Sequence, residues 1–553
     1  MTRGSAIVLL VVLGIGAFLV GLELMVTAVA LPAIVVDLAS WTALRKASWI
    51  VNAYLMTSVV TMPLAGRLAD RWGVRRPFLA ALAVFGVGSA LAGSAQSLDT
   101  LIAARVVQAI GGGVLIPVAT AAASHLFEGE ARPRALGAIG ALTFLGMAAG
   151  PFVGAWILGT VHPADALGAA GVGSSVLDAF DAPWRYVFYV NVPIALAAIG
   201  VAWAASGSWD TPRGTARIDP FGAAIATAGL AAILIGLTLG GSERIEGLDL
   251  DPWVAVAGLI GVGVIALVGG VALAARRGGP VVEPSWFRSR VFGSAAFVSL
   301  LTGYGFATAI IGGAVFVDRV LYGGPDVQRV ALGALAAATA IGALASGFAL
   351  RLLGLRVTTL AGLGLGIGAL WRMSFWTPST GIGEVAISLA AFGLGFGLTV
   401  TPRSTAAVEA LGRQAFGIAS ATVTVARMLG MAIGLAVLTA FGSTVIDRLY
   451  QQVYATPDAY KAFIPAALRN RTLQDGLVVQ ALEEWASREA ATILVGIFLV
   501  AAVVMAIAVV PTLALERGSV AEPDVDSDDG VPDRAHGIAP EAEDGPDEPS
   551  FAL

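Results

Sequence analysis

The chain has no cysteine, so it carries no disulfide framework and no thiolate for metal or nucleophilic chemistry. Its three histidines, His125, His162 and His536, lie far apart, and no short-spaced metal cluster can be built from them. Lysine is nearly missing. Lys46 and Lys461 are the only two, and neither follows a glycine in a P-loop pattern. ATP binding by that route is absent, and any transport is expected to draw on an ion gradient. Charge of either sign is scarce: 13% of the 553 residues are charged, 57% are hydrophobic, and the mean hydropathy of +0.83 is far above that of a soluble domain. The missing His/Asp/Cys cluster argues against an enzyme. No metal, no cofactor and no nucleic-acid partner is expected. What remains is an all-α polytopic membrane protein.

The net charge of −5 misleads. The tail Glu516–Leu553 holds twelve acids and two arginines, which leaves 26 acids and 31 bases for the rest. That part is about +5 and suits contact with an anionic inner leaflet. The tail is rich in proline and glycine and nearly free of large apolar residues, so it is expected to be disordered. At the other end, Met1-Thr2-Arg3-Gly4 leads into an apolar run of about 25 residues, too long for a signal-peptide core, which reads as the first spanning helix.

Fourteen spans are expected, near 5–30, 47–68, 77–95, 99–123, 134–158, 185–206, 218–240, 252–275, 291–317, 328–350, 356–376, 383–402, 415–446 and 490–515, each close to the ~20 residues a crossing needs. With the N-terminus inside, the cytoplasmic loops hold most arginines, from Arg67 through Arg132 and Arg134 to Arg403 and Arg413. The outer loops hold few, such as Arg45, Lys46 and Arg244. This bias sets an inner (plasma) membrane topology with both termini cytoplasmic.

One stretch between two apolar runs, Gly66-Arg67-Leu68-Ala69-Asp70-Arg71-Trp72-Gly73-Val74-Arg75-Arg76, carries four arginines and one acid. Hydrocarbon excludes it, so a tight loop at the membrane face is expected. Gly66 and Gly73 suit a turn and close helix approach. Asp70, Arg71, Arg75 and Arg76 can form a charge cluster that must break for that side to open; the bland alternative is a plain positive-inside loop. The pattern G-x3-D-R-x-G-x-R-R closely resembles the signature loop between helices 2 and 3 of the major facilitator superfamily.

The chain also repeats. Leu145-Gly146-Met147-Ala148-Ala149-Gly150 returns 284 residues later as Leu429-Gly430-Met431-Ala432-Ile433-Gly434. Gly66, Gly73 and Arg75 return 281 later as Gly347, Gly354 and Arg356, with Arg351 in place of Asp70. Two echoes at nearly one offset suggest two homologous six-helix halves. The expected division is 1–210, an inserted helix pair at 211–280, 281–515 with a long outer segment 444–490, and the tail 516–553. This architecture resembles the fourteen-helix drug:proton antiporter branch of the superfamily.

Ionisable groups inside spans are functional candidates by default. Glu23 lies nine residues before Pro32 in an Ala-Leu-Pro ending and resembles the family's helix-1 acid, with glutamate where aspartate is usual. Burial favours the neutral carboxyl, which taking up and releasing a proton near neutrality requires. A structural hydrogen bond is the alternative. Arg105, in Arg105-Val106-Val107-Gln108, resembles the helix-4 arginine and is the expected partner of Glu23, with Gln108 one turn on. Gln108 and Asn52 are the polar cavity candidates. Gly146, Gly150, Pro151 and Gly154 give span 5 a flat, kinked face and resemble the antiporter motif of drug exporters; packing alone is the plain alternative. Trp184-Arg185-x3-Phe188-x2-Asn191-x-Pro193 also matches the fourteen-helix branch.

Arg427, in Ala426-Arg427-Met428-Leu429-Gly430, is the repeat counterpart of Thr143. The run around it, and the long segment after it, resemble mycobacterial exporters of triacylglycerides and glycolipids, whose span 5 carries an acid paired with this arginine. Phe144 stands there in this chain. That leaves Arg427 near Glu23 for proton coupling, or facing a carbonyl or water. In 444–490, Val453, Leu473, Leu477, Leu482 and Trp485 continue the apolar faces of spans 13 and 14, Thr456-Pro457 reads as a helix start, and a helix from Arg471 to Ala490 would reach about 30 Å. The segment either projects from the bilayer or lies on it.

The expectation is a proton-coupled exporter of lipophilic drugs or related apolar compounds. A second is a lipid exporter, with an extracytoplasmic lipid-binding protein docking on 444–490. A remote third is a membrane enzyme or receptor.

Overall fold

A computed structural model describes residues 3–38, 44–161, 182–205, 211, 219–239, 252–279, 283–412, 415–454 and 458–515. The acidic tail and the Thr456-Pro457 helix start lie outside the described residues. Among the described residues, thirteen long helices are present: α1 Arg3–Leu38, α2 Leu44–Trp72, α3 Arg75–Gly93, α4 Leu98–Leu126, α5 Ala131–Thr160, α6 Trp184–Ala204, α7 Pro220–Leu239, α8 Pro252–Arg276, α9 Arg290–Val315, α10 Pro325–Met373, α11 Ile382–Leu411, α12 Phe416–Tyr454 and α13 Gly476–Ile507. Each contains a stretch long and apolar enough to cross a membrane. Helix α10 turns at Gly354, where φ is 76°, so its arms 325–353 and 355–373 are two crossings. The fourteen expected spans are therefore present. Helices α6 and α11 break at Val190 and Thr399, each three residues before a proline that removes a helical donor.

The charged stretch after Gly66 is not a loop along its length. Helix α2 runs on to Trp72, and only Gly73 and Val74 separate it from α3. Helix keeps backbone groups bonded up to the last turn, and Gly73 ends it with φ 80°, where other residues are strained. Its repeat counterpart Gly354 takes the same left-handed conformation.

The two halves, α1–α6 and α9–α13, are built on one helix pair used twice. In the first, α1 packs on α5: a Cβ on Gly21 would lie 3.0 Å from the carbonyl carbon of Thr143, and one on Gly146 would lie 2.9 Å from the Leu22 nitrogen. In the second, α9 packs on α12: a Cβ on Gly303 would lie 2.9 Å from the carbonyl carbon of Arg427, and one on Gly430 would lie 2.8 Å from that of Leu300. Gly150 and Gly154 extend the first seam against Met25, Val26 and Val29. Small residues let the backbones meet, the main source of helix affinity where lipid tails remove the hydrophobic drive.

The inserted helices α7 and α8 form their own hairpin, closed at Gly222, Gly229, Gly236, Gly263 and Gly270. Leu230 and Leu234 of α7 pack with Val59 of α2 and, on α12, with Val425, Met428, Leu429 and Ala432.

Beyond the bundle, α12 and α13 are long. Their 39 and 32 residues make about 58 and 48 Å of helix, against ~30 Å of hydrocarbon. A small cluster of Val453, Tyr460, Ile464, Val478 and Ala481 joins them, flanked by Leu473, Leu482 and Trp485. Two corrections apply: α13 starts at Gly476, capped by Asp475, and not at Arg471; and Leu477 is exposed. The Asp475 side chain accepts from the Leu477 amide and from Arg471, and Arg471 holds its carboxyl below the usual carboxylate range. The Tyr322 hydroxyl donates to the Glu483 carbonyl at 2.8 Å, which ties the extension to the end of α9.

Candidate functional site

Glu23 sits on α1, a helix with no other acid before Asp37. Its carboxylate is fully buried and accepts from three donors. Thr27, one turn on, donates its hydroxyl at 2.9 Å. Asn191, at the start of the second part of α6, donates Nδ2–H at 2.6 Å. Arg105 of α4 donates Nη1–H and forms the ion pair. The same guanidinium donates to Gln108 Oε1 at 2.6 Å and, through Nε, to the Ile50 carbonyl at 3.1 Å. Gln108 passes the chain on to the Ser89 hydroxyl at 2.8 Å. Two rings lie against the cation: Tyr54 at 4.1 Å and Phe188 at 5.5 Å from their centroids.

Residues from α1, α2, α3, α4 and α6 thus close one network in which Glu23, Thr27, Gln108 and Asn191 have no exposure and Arg105 has 1%. Burying two charges is costly unless the pair is well matched and its other groups are bonded. Among the described residues, Asn191 Oδ1 finds no hydrogen-bond partner. The site sets one buried carboxylate against one cation and two neutral donors.

Of the residues singled out in sequence, Glu23, Arg105 and Gln108 meet here. Gln108 is inside the network, with no exposure. Asn52 does line one, of about 380 Å³, between α2, α7, α9 and α12, with Met56, Thr238, Met428 and Met431. Arg427 is elsewhere: it makes no ion pair with a described residue and lies 5.9 Å over the Phe144 ring. Sequence reasoning passed over Thr27, Tyr54 and Ser89, and read Asn191 only as part of a motif. A signal existed for Asn191, the one carboxamide in an otherwise apolar helix. Arg403, expected in a cytoplasmic loop, is instead buried at 2% exposure in α11, because the helix resumes after Thr399 and carries it inward.

At the face of the α2–α3 turn the two halves touch. Both Asp70 oxygens accept from the first amides of α12, Gly417 at 2.7 Å and Ile418 at 3.1 Å. A helix N-terminus offers free donors and a positive dipole end, so a carboxylate fits there. Of the arginines expected to cluster with Asp70, the buried Arg67 acts on it electrostatically, while Arg71 and Arg76 are exposed and Arg75 is half-buried. A Cβ on Gly66 would lie 2.6 Å from the Gly417 carbonyl oxygen. The repeat supplies the mirror contact: a Cβ on Gly347 would lie 2.7 Å from the Pro133 carbonyl oxygen, and Arg351, in Asp70's place, pairs with Glu130 at 2.9 Å. At the other end of the first half, Trp184 Nε1 donates to Asp37 at 2.8 Å and Arg185 donates to the Gly93 carbonyl at 3.0 Å.

The profile described as Major Facilitator Superfamily matches residues 13–435. A triacylglyceride transporter of Mycolicibacterium hassiacum is 30% identical over 427 residues, 75% of each chain. A multidrug transporter protein of Bacillus subtilis is 26% identical over 81% of this chain and 78% of its own. Among solved structures, a bacterial homologue of the human lysosomal transporter Spinster, inward-facing and unoccupied, superposes with a TM-score of 0.56 at 18% identity, covering 94% of this chain and all of the other.

Proposed function

We propose, from the premise that this chain belongs to the major facilitator superfamily, that it is a proton-coupled antiporter that exports lipophilic compounds by alternating access. The observation that carries the reading is the buried Glu23–Arg105 pair, closed by Thr27, Asn191 and Gln108. A proton arriving from outside neutralises Glu23 and frees Arg105; cargo arriving from inside restores the pair. One charge crossing the membrane field is worth about 2.3 kcal/mol per 100 mV.

The moving bodies are 1–210 and 281–515, with 211–280 bracing α2 against α12. The face holding Asp70 and the α2–α3 arginines is cytoplasmic, as are both termini, and the membrane is the plasma membrane. The seam of Gly146, Gly150, Pro151 and Gly154 lets α1 and α5 shift as a unit.

Export of a lipid is the second reading. It is supported by the likeness to relatives named triacylglyceride transporters, over three quarters of both chains. The methionine-lined cavity and the extension of α12 and α13 favour it too, the latter as a landing place for an extracytoplasmic lipid-binding protein. Neutral lipid co-extracted with the pure protein, and no response to drugs, selects the lipid reading.

Glu23→Gln in proteoliposomes tests the coupling. Gradient-driven accumulation of a lipophilic dye is expected to vanish while dye binding and folding persist. Uphill transport retained by Glu23→Gln overturns the assignment.

A further inference from the structure

The second half holds two arginines that the Glu23 network does not use. Arg403 is 2% exposed; it donates Nε–H to the Thr399 carbonyl at 2.7 Å and Nη1–H to the Thr302 hydroxyl, and lies 5.3 Å over the Phe396 ring. Arg427, half-buried, lies over Phe144. Phe144 and Phe396 meet edge-on at 5.6 Å between centroids, and Phe306 stacks on Phe396 at 4.4 Å. The two guanidiniums therefore flank one aromatic cluster. Among the described residues, neither forms an ion pair with an aspartate or glutamate.

A hydroxyl, a carbonyl and ring faces bond these donors without cancelling their charge. Guanidinium stays protonated in proteins, so it cannot escape the cost of burial by releasing its proton. Two like charges close together, away from water, raise each other's cost further. Among the described residues, no carboxylate supplies the counter-charge for either guanidinium. What surrounds them is apolar. Met428, next to Arg427 on α12, and Met431, about one turn on, line the 380 Å³ cavity, so apolar space lies along the same stretch of helix.

We propose that Arg427 receives the anionic head of an amphiphilic substrate, a carboxylate or phosphate ester on an apolar body, with Arg403 adding charge from across the Phe144–Phe396 pair. This rests on the exporter reading and narrows its cargo. Net-neutral lipids satisfy the cavity but leave the arginines uncompensated.

The test is binding by the full chain in phosphatidylcholine nanodiscs, with dodecyl phosphate, dodecanol and inorganic phosphate as probes and empty nanodiscs subtracted. The ester is expected to bind about tenfold or more tighter than the alcohol, as a charge-assisted contact implies, with inorganic phosphate weaker still. Arg427→Gln is expected to erase that preference and leave dodecanol binding unchanged. Phe144→Glu keeps both arginines and places a carboxylate under Arg427, so it guards against a misfolded arginine variant; it is expected to erase the preference too. Equal binding of ester and alcohol, or a preference that survives in both variants, overturns the proposal. Inorganic phosphate binding as tightly as the ester assigns a free-anion site and overturns the amphiphile. Gradient-driven export of a neutral dye separates the two claims: export without ester preference sinks only the present inference, whereas ester preference with no export of any probe sinks the exporter reading and the assignment as cargo with it.

Discussion

Three donors converge on Glu23, and one cation serves both Glu23 and Gln108, so the residues of the network stand or fall together. Removing one member of a buried pair leaves the other charge uncompensated, at a cost of about 3–5 kcal/mol. Arg105→Met is expected to lose stability on that scale in a denaturation series, and adding Glu23→Gln is expected to return part of it. Additive losses would show that the two side chains act independently. At this scale the sequence was informative where a charge interrupts an apolar run. Glu23 and Arg105 stand out because hydrocarbon tolerates few ionisable groups. Thr27, Ser89 and Tyr54 did not stand out, since hydroxyls are common in spanning helices and only the fold aims them. Arg403 misled because an arginine near a span end reads as a loop cation; the break at Thr399, ahead of Pro402, let the helix resume and carry it into the interior.

Helix seams decide how the halves are built. The α1–α5 and α9–α12 pairs touch through glycines whose missing Cβ is what allows the contact. Gly150→Val places a branched side chain where a Cβ already lies 2.5 Å from the Met25 Cβ and 3.0 Å from the Val26 nitrogen. Overpacking of this kind costs about 1–3 kcal/mol, and more where backbone must move. Thermal unfolding of Gly150→Val is expected to fall, while valine at Gly159, where a Cβ meets nothing within 4 Å, is expected to be neutral. The repeat made these seams legible: Gly146 and Gly430 were paired by spacing before their partners Leu22 and Leu300 were known. The ends of elements were harder. The run of arginines after Gly66 suggested a loop, yet the chain stays helical to Trp72, because charge excludes hydrocarbon without excluding helix. The start of α13 fell at Gly476 because Asp475 supplies the cap there.

For the molecule as a whole, the two halves are latched at the α2–α3 face by Asp70 on the N-terminus of α12, and by the mirror contact of Gly347 with Pro133. Side-chain caps of this kind are worth about 0.5–2 kcal/mol. Asp70→Ala is therefore expected to shift the balance toward opening of that face by roughly 2- to 30-fold. The natural chain lacks cysteine, so Ser420→Cys gives a clean reporter: its hydroxyl is buried against the Pro117 carbonyl at 3.3 Å, between α12 and α4. Thiol labelling there should accelerate in the Asp70→Ala background, and an unchanged rate would mean that the latch does not govern opening. Spacing located the fourteen crossings, and the repeat paired the halves. What spacing alone did not reveal was that Asp70 reaches across to the other half, since the amides that donate to it lie 347 and 348 residues away.

In the proposed antiport Glu23 trades a proton for cargo, and the proton itself can be measured. Weakly buffered, purified protein with a pH indicator is titrated with a lipophilic substrate. Proton release on binding is expected from the natural chain and none from Glu23→Gln, whose binding persists. Equal release from both would place the exchanged proton elsewhere and contradict the Glu23 assignment.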